Sequence, residues 1–403
     1  MKREVYSRRI IKTALNITQN RIDSVRKNDI VRSACRVYDK GCIGISGFFG
    51  EPNEEHWKAA EENLSLCIPY EYEPEAGKQR SEDRRKEVLT QQEFLEKAED
   101  MMARLHEQNP NFIFSNKIIS MDLTESLKND QGLDYQFRDR CYVFSIIFKH
   151  LDSNAVFDGG LGYQGRTFDA ERFLADAHTI LTAYQTPVQL PQEETIPVAL
   201  GFGEVGGKIL EGLSAEDLGK GTSIFAGKLG EKLFSEDFTL YADRTAENIA
   251  TAFFDMEGST VENDRIALID RGTLVRGFCD KKNAAEFGCD NTACGEGGYD
   301  DVPSLGLAGI EVQPSEKSFA DLLGKGRAIL IDTMGGGDCT AEGNFASPVQ
   351  LAYLIEDGRL VGRLPEFGLS GSIYKMFGED YIGLSSDRPF FNDRLLLVRM
   401  KLN

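Results

Sequence analysis

The sequence predicts an α+β fold in two domains, with helices on a mixed sheet first and a β-rich domain second. Three observations predict it. The chain has 403 residues, enough for two cores. Amphipathic stretches alternate with strand-like runs as far as Tyr184, and short β-like runs rich in glycine follow Pro197. Between them, Thr186–Pro197 carries Pro187, Pro191 and Pro197 and few long apolar side chains. The boundary therefore falls between residues 1–188 and 189–403, each half expected to have its own core.

In the first half, Ile10, Ile11, Ala14, Leu15 and Ile17, then Ile22 and Val25, have helical spacing, so Ser7–Val25 is predicted as a helix. Val31–Tyr38 and Ile43–Phe48 read as paired strands around Asp39-Lys40-Gly41. Glu54–Leu66 is predicted as a helix with Trp57, Ala60 and Leu64 on one side. Glu71–Glu87 is charged and reads as an exposed loop. Thr90 caps a strong amphipathic helix to Asn109, with Phe94, Ala98, Met101, Met102 and Leu105 inward. Asn111–Thr124 and Tyr135–Phe148 are strands joined by turn chemistry at Asn129–Gly132. Asp158–Tyr163 reads as a turn, and Ala170–Tyr184 as a helix with Phe173, Leu174, Ala177, Ile180 and Leu181 inward.

In the second half, Val198–Leu200, Phe238–Tyr241, Ile266–Ile269 and Ala328–Ile331 are short strands. Ala328–Ile331 enters a glycine turn, Gly335–Gly337. Leu351–Ile355 and Leu360–Leu364 form a hairpin through Asp357-Gly358, a strong two-residue turn signal. A short helix, Ile373–Phe377, closes at Gly378.

Charged residues make up 28% and hydrophobic ones 41%, an ordinary globular balance. The 46 Lys and Arg against 65 Asp and Glu leave a net charge of −19, which argues against direct nucleic-acid binding. The first twenty residues lack the apolar core of a signal peptide. No run approaches the roughly 20 apolar residues of a membrane helix. A cytoplasmic protein without membrane attachment is expected. Eight cysteines are too sparse for a disulfide scaffold and suit a reducing compartment.

Two blocks carry a resemblance. The first is Gly221–Phe234, GTSIFAGKLGEKLF, ahead of Asp264–Gly277. The second runs through Met334–Gly337, Gly343–Ser347, Ala352–Gly358, Val361–Glu366 and Ser370–Met376. In this order they resemble the TldD/PmbA family, known historically as modulator of DNA gyrase. The charge balance lends that label no support.

The resemblance implies where zinc should sit. TldD-type members carry a His-Glu-x-x-x-His helix followed by Leu-Glu-Gly, and a third cysteine ligand near the carboxy terminus. Here Leu210-Glu211-Gly212 matches the trailing part. Counting back puts Gly203 and Lys208 at the histidine positions and Glu204 at the glutamate. The third-ligand region falls near Ser386–Asp393, which has no cysteine; the last one is Cys339. All four histidines, His56, His106, His150 and His178, precede the boundary. A His₂Cys site in the second half is therefore impossible within this polypeptide.

The chain thus resembles the PmbA, or TldE, side of the family. That implies a non-catalytic subunit with no cofactor of its own, zinc being held by a TldD-like partner. It also implies homodimers in isolation and a peptidase acting on small or unfolded peptides, with roles in proteolysis and peptide maturation. One alternative is a stand-alone homodimeric peptide-binding or scaffold protein. Another is a hydrolase with a non-zinc or cysteine-based site.

Candidates for a peptide cavity cluster around the signature: Asp332, Asp338, Glu342, Tyr353 and Glu366. The hairpin strand is apolar on both faces, so Tyr353 is expected at a wall shared with a second chain. Cys279, Cys289, Cys294 and Cys339 could form a thiolate site, but no C-x-x-C pair supports one, and free buried or surface thiols fit better. Gly335–Gly337 lacks a phosphate loop's Gly-Lys-Ser/Thr ending and reads as a turn. Gly201-Phe202-Gly203 with Gly206 has the form of a dinucleotide fingerprint, without the expected acidic residue beyond.

Overall fold

A computed structural model describes residues 1–403. The chain starts with two long strands, β1 (Lys2–Thr18) and β2 (Arg21–Asp39), then β3 (Cys42–Phe49), α1 (Glu54–Asn63), β4 (Ile68–Pro69) and β5 (Gln79–Asp83). Next come α2 (Gln91–Gln108), β6 (Phe112–Asn129), β7 (Asp134–His150), β8 (Gly159–Gly165) and α3 (Ala170–Tyr184). The strands form one sheet in the order β4-β3-β2-β1-β6-β7; β5 and β8 both join the far edge of β7.

The expected helix over Ser7–Val25 is instead this β1–β2 hairpin. Gln19 and Asn20 turn it with φ of 47° and 73°, the two positive values a two-residue hairpin loop needs. Thr13, Leu15 and Ile17 are the buried set, spaced by two, and Ile10 and Ile11 fall on opposite faces. A run of β-branched residues satisfied both periods, and pairing with β6 decided between them.

Glu71–Glu87 is not a free loop either. Its β5 pairs in parallel with β7. Arg84 donates to the carbonyls of Arg244, Thr245 and Thr251 at 2.9, 2.9 and 3.1 Å. The segment looks solvated in sequence because its contacts are hydrogen bonds rather than apolar burial. Asp158–Tyr163 belongs largely to strand β8: Gly159, Leu161 and Tyr163 are buried and Gly160 and Gly162 exposed. The α2 and α3 helices form as expected, α2 with the Thr90–Glu93 capping box.

The second half contains β9 (Thr195–Leu200), α4 (Phe202–Val205), α5 (Gly207–Gly212), α6 (Ala215–Lys220), β10 (Leu240–Asp243), β11 (Arg265–Asp270), β12 (Thr273–Leu274) and α7 (Lys281–Phe287). It continues with β13 (Gly295–Glu296), β14 (Ser304–Leu305), β15 (Ile310–Val312), α8 (Phe319–Leu323), β16 (Arg327–Met334), β17 (Asp338–Cys339) and β18 (Asn344–Glu356). It ends with β19 (Arg359–Arg363), β20 (Phe367–Ser372), α9 (Ile373–Met376), β21 (Tyr381–Leu384) and β22 (Leu396–Leu402). Strands β16, β9, β22, β20 and β18 pair in turn, and β18 pairs back onto β16, closing a small barrel. The Asp357-Gly358 turn is as expected, with φ of 47° and 77°.

One core cluster spans both halves. Ala199, Leu330, Leu351, Tyr353, Ile355 and Leu397 pack in one cluster with Phe144, Phe148, Phe173 and Ile180. The opposite face of the same strands, with Val198, Ile329, Ala352 and Leu354, fills the barrel. Both apolar faces of β18 are therefore covered within one chain. Tyr353 is fully buried within one chain and presents no surface to a second copy.

Candidate functional site

Gly203, Glu204 and Lys208, which the resemblance aligns with a zinc motif, sit at the start of the barrel domain. Gly201 follows β9 and caps α4, a single turn; α5 follows after Gly206. The helix is thus broken where the motif would run. Strand β9 pairs with β16 in parallel and β22 antiparallel, and no β-α-β crossover follows Gly201, so the fingerprint glycines build no dinucleotide fold. Gly335–Gly337 is the turn between β16 and β17.

A cleft of about 610 Å³ lies between edge strand β8 and the barrel. Gly160 and Gly162 face it from β8, Gly201, Phe202 and Glu204 from the α4 turn, and Leu330–Thr333 from β16. Phe390, Phe391 and Asp393–Leu395 close the last side. Part of the Ser386–Asp393 stretch therefore shares the cleft with Glu204 of the α4 turn. Gly203 and Lys208 do not line the cleft. Lys208 turns to Glu211, at 2.8 Å.

Three carboxylates share the cleft: Glu204, Asp332 and Asp393. Asp332 is the residue where the β16–β18 register slips, a β-bulge that re-aims its side chain. Burial pushes its carboxyl up to about 6, opposed by the Thr333 hydroxyl, which donates to it at 2.8 Å. Burial also raises Asp393, opposed by the Arg388 and Arg172 guanidinia. The wall before Asp393 is held hard. Phe391 and Asn392 adopt φ of 48° and 66°. The Phe391 N–H donates to Asp176 at 2.7 Å, and Asn392 Nδ2 to the Gln164 carbonyl at 2.8 Å. A bulky residue at positive φ is strained and needs such ties to persist.

Arg394 is the cleft's one cation. It donates to Glu311 at 2.8 Å and Glu247 at 2.9 Å, away from the three carboxylates. Burial lifts Glu311 to about 7, with Arg394 opposing. The cleft thus favours a positively charged group over an anion.

Of the predicted site residues, the fold brings together Glu204 and Asp332. Asp338, Glu342 and Glu366 are exposed and lie outside the cleft. Asp393 ends the expected third-ligand stretch, while Arg394, Gly160 and Gly162 were missed. The alternation Gly160-Leu161-Gly162-Tyr163 was the available signal for β8, hidden by its glycines. A groove of about 670 Å³ also crosses the first sheet over Ser7, Arg9, Thr124 and Ser126. Its arginines are largely matched, Arg9 to Asp29 and Arg140 to Asp122, and no family position falls in it.

A zinc centre does not fit these residues. The cleft offers carboxylates only, with no imidazole or thiol among its lining. His56 stacks on Phe48 at 3.6 Å, and His178 faces Asn109 at 3.4 Å, so neither serves the cleft. Cys279 and Cys294 are buried in the α7 region, while Cys339 is half-buried on β17.

Comparison with known proteins places these features. Residues 199–396 match the PmbA/TldA metallopeptidase C-terminal domain. A metalloprotease of Methanothermobacter thermautotrophicus is 26% identical over 170 residues, 42% of this chain and 37% of that protein. A metalloprotease TldD homolog of Haemophilus influenzae is 31% identical over 212 residues, 50% of this chain and 42% of that protein. The matches thus span less than half of those relatives' own length. TldE from Thermococcus kodakarensis superposes with a TM-score of 0.81 at 21% identity, covering 100% of this chain and 96% of its own. A protein from Thermotoga maritima described as a modulator of a DNA gyrase gives 0.79 at 18%, with the same coverages. At these identities the two structures show the shared fold.

Proposed function

We propose, from the match of residues 199–396 to the PmbA/TldA metallopeptidase C-terminal domain and the fold shared with TldE, that this chain is a TldE-like, non-catalytic subunit of a zinc metallopeptidase acting on small or unfolded peptides. One observation carries this. No histidine follows His178, and the cleft lined by Glu204, the residue that the resemblance aligns with the zinc motif's glutamate, has no imidazole or thiol.

In this reading the chain binds and orients peptide, while a zinc-bearing TldD-like partner supplies the metal and the activating glutamate. Strand β8 is paired along one edge only, to β7. Its free backbone edge can take an extended peptide as an added strand. Gly160 and Gly162 leave the floor open to a backbone. Glu204, Asp332 and Asp393 then favour an amino terminus or a basic side chain. The chain holds no zinc of its own in this reading. A cytoplasmic place belongs to it as well, since sparse cysteine suits a reducing compartment.

Reconstitution tests it. Mixed at equal stoichiometry with a TldD-like chain from the same host, this protein is expected to co-elute and to be required for peptide cleavage. A TldD-like chain that neither binds it nor gains activity from it overturns the reading. Peptide binding by the isolated homodimer with no partner interaction would favour the stand-alone alternative.

A further inference from the structure

The cysteines are grouped. Cys42 Sγ lies 2.6 Å from Cys67 Sγ, and Cys279 Sγ lies 2.9 Å from Cys289 Sγ. Each approach is built by a left-handed turn of the backbone. Cys67 itself adopts φ 48° and ψ 47° after the helical turn Leu64–Leu66, which swings it back to Cys42 at the start of β3. In the second pair Asp280 caps α7 through the Asn283 N–H at 2.8 Å. Gly288, at φ 65°, ends α7 and returns Cys289 to Cys279.

We propose that these are two modification sites, at each of which a small-molecule disulfide oxidises the pair to an intrachain disulfide. The more accessible thiolate, from Cys67 or Cys289, attacks one sulfur of the small disulfide. That S–S bond breaks and one small thiolate leaves with the electron pair. The neighbouring cysteine then attacks the protein sulfur of the mixed disulfide and releases the second small thiol. Two protein thiols lose two electrons and two protons, and the small disulfide is reduced to two thiols.

Other uses of these sulfurs fit less well. No group of three or more His, Cys, Asp or Glu converges around either pair, as a soft metal would need. Burial pushes the Cys279 thiol far up, which suits a resolving partner better than a free nucleophile. No other pair of cysteine sulfurs lies this close. Cys294, for example, takes a hydrogen bond from the Thr292 hydroxyl at 3.3 Å.

The two pairs bracket one contact between the halves. A strap running from Cys67 places Tyr70, whose hydroxyl donates to Glu257 at 2.9 Å. Two residues past Cys279, Lys281 donates through Nζ to the Glu73 carbonyl at 2.9 Å and the Glu257 carbonyl at 3.1 Å. Oxidation therefore ties down both sides of this strap. In a reducing compartment such cross-links are transient and regulatory rather than structural.

The experiment uses the full chain, folded, with oxidised glutathione as the probe. After incubation, free thiols are alkylated and the peptides mapped without reduction. The expected result is loss of four of the eight thiols, with links Cys42–Cys67 and Cys279–Cys289 that dithiothreitol reverses. Amide exchange in residues 67–75 slows on oxidation. In Cys67→Ser the Cys279–Cys289 link still forms and the other does not. Eight thiols persisting in the folded protein, links between other cysteines, or glutathione adducts without a link would each overturn the proposal.

Discussion

Arg166 and Asp139 form a bidentate ion pair, Nε to Oδ1 at 2.7 Å and Nη2 to Oδ2 at 2.8 Å, with side chains 8% and 1% exposed. Asp139 lies on β7 and Arg166 just past β8. The same Asp139 oxygen accepts the Ala250 N–H at 2.9 Å, and Arg166 also donates to the carbonyls of Ala246 and Asn248. The pair thus pins a loop of the second half onto the first sheet.

Breaking that pair should be costly. Asp139→Ala leaves a buried guanidinium uncompensated and is expected to lower stability by roughly 3–5 kcal/mol. Arg166→Met with Asp139→Leu, which removes both charges, should cost clearly less. Chemical denaturation of the three proteins measures the difference. Equal losses in the single and double variants would show that packing rather than charge pairing dominates.

Tyr353 offers a sharper test of where the hairpin strand lies. Its hydroxyl is buried without a hydrogen-bond partner, so Tyr353→Phe should be neutral or slightly stabilising. Tyr353→Asp buries an unpaired charge and should destabilise by a few kcal/mol, on the order of other such losses. Because both faces of β18 are covered within one chain, sedimentation should find the oligomeric state unchanged. A variant that dissociates while keeping its melting temperature would return Tyr353 to an interface.

Asp332 should make stability depend on pH. Burial raises its carboxyl in the folded chain to about 6, well above the ordinary aspartate range. A raised folded pKa means that the folded chain holds the proton more tightly. The resulting stabilisation is full below about pH 4 and is lost as pH rises through 6. Asp332→Asn should therefore gain stability over the parent as pH rises from 4 to 7, by at most about 3 kcal/mol. Thermal melts across that range decide it. A constant difference between variant and parent would place the Asp332 carboxyl in water.

The boundary can be cut without separating the halves. Gln192–Glu194 is exposed, so a protease should nick there. The cluster joining Phe173 and Ile180 to Leu330 and Tyr353 should hold the fragments together in gel filtration. Fragments that elute apart would mean two independent cores.

Elemental analysis of the isolated protein should find well under one zinc per chain. The motivating observation is the carboxylate-only lining of the cleft. One tightly held zinc per chain would contradict the TldE-like reading and direct attention to the thiols near α7.

Some of this was legible in the sequence, and the reason is locality. The Thr90 cap, the apolar face of α3 and the Asp357-Gly358 turn each depend on residues within a few positions of one another. The absence of any histidine after His178 was equally plain. The tertiary structure decided the rest. Ile10, Ile11, Leu15 and Ile17 satisfied helix and strand spacing alike, and only pairing with β6 selected the strand. Tyr353 looked available to a partner until α3 and the first sheet were laid over it. Glu204, Asp332 and Asp393 stand far apart in sequence and share a cleft only because the barrel closes β16 beside β9 and edge strand β8 faces them. Local propensity sets a turn or a cap by itself; a cleft exists only where distant segments meet, and long-range pairing decides that.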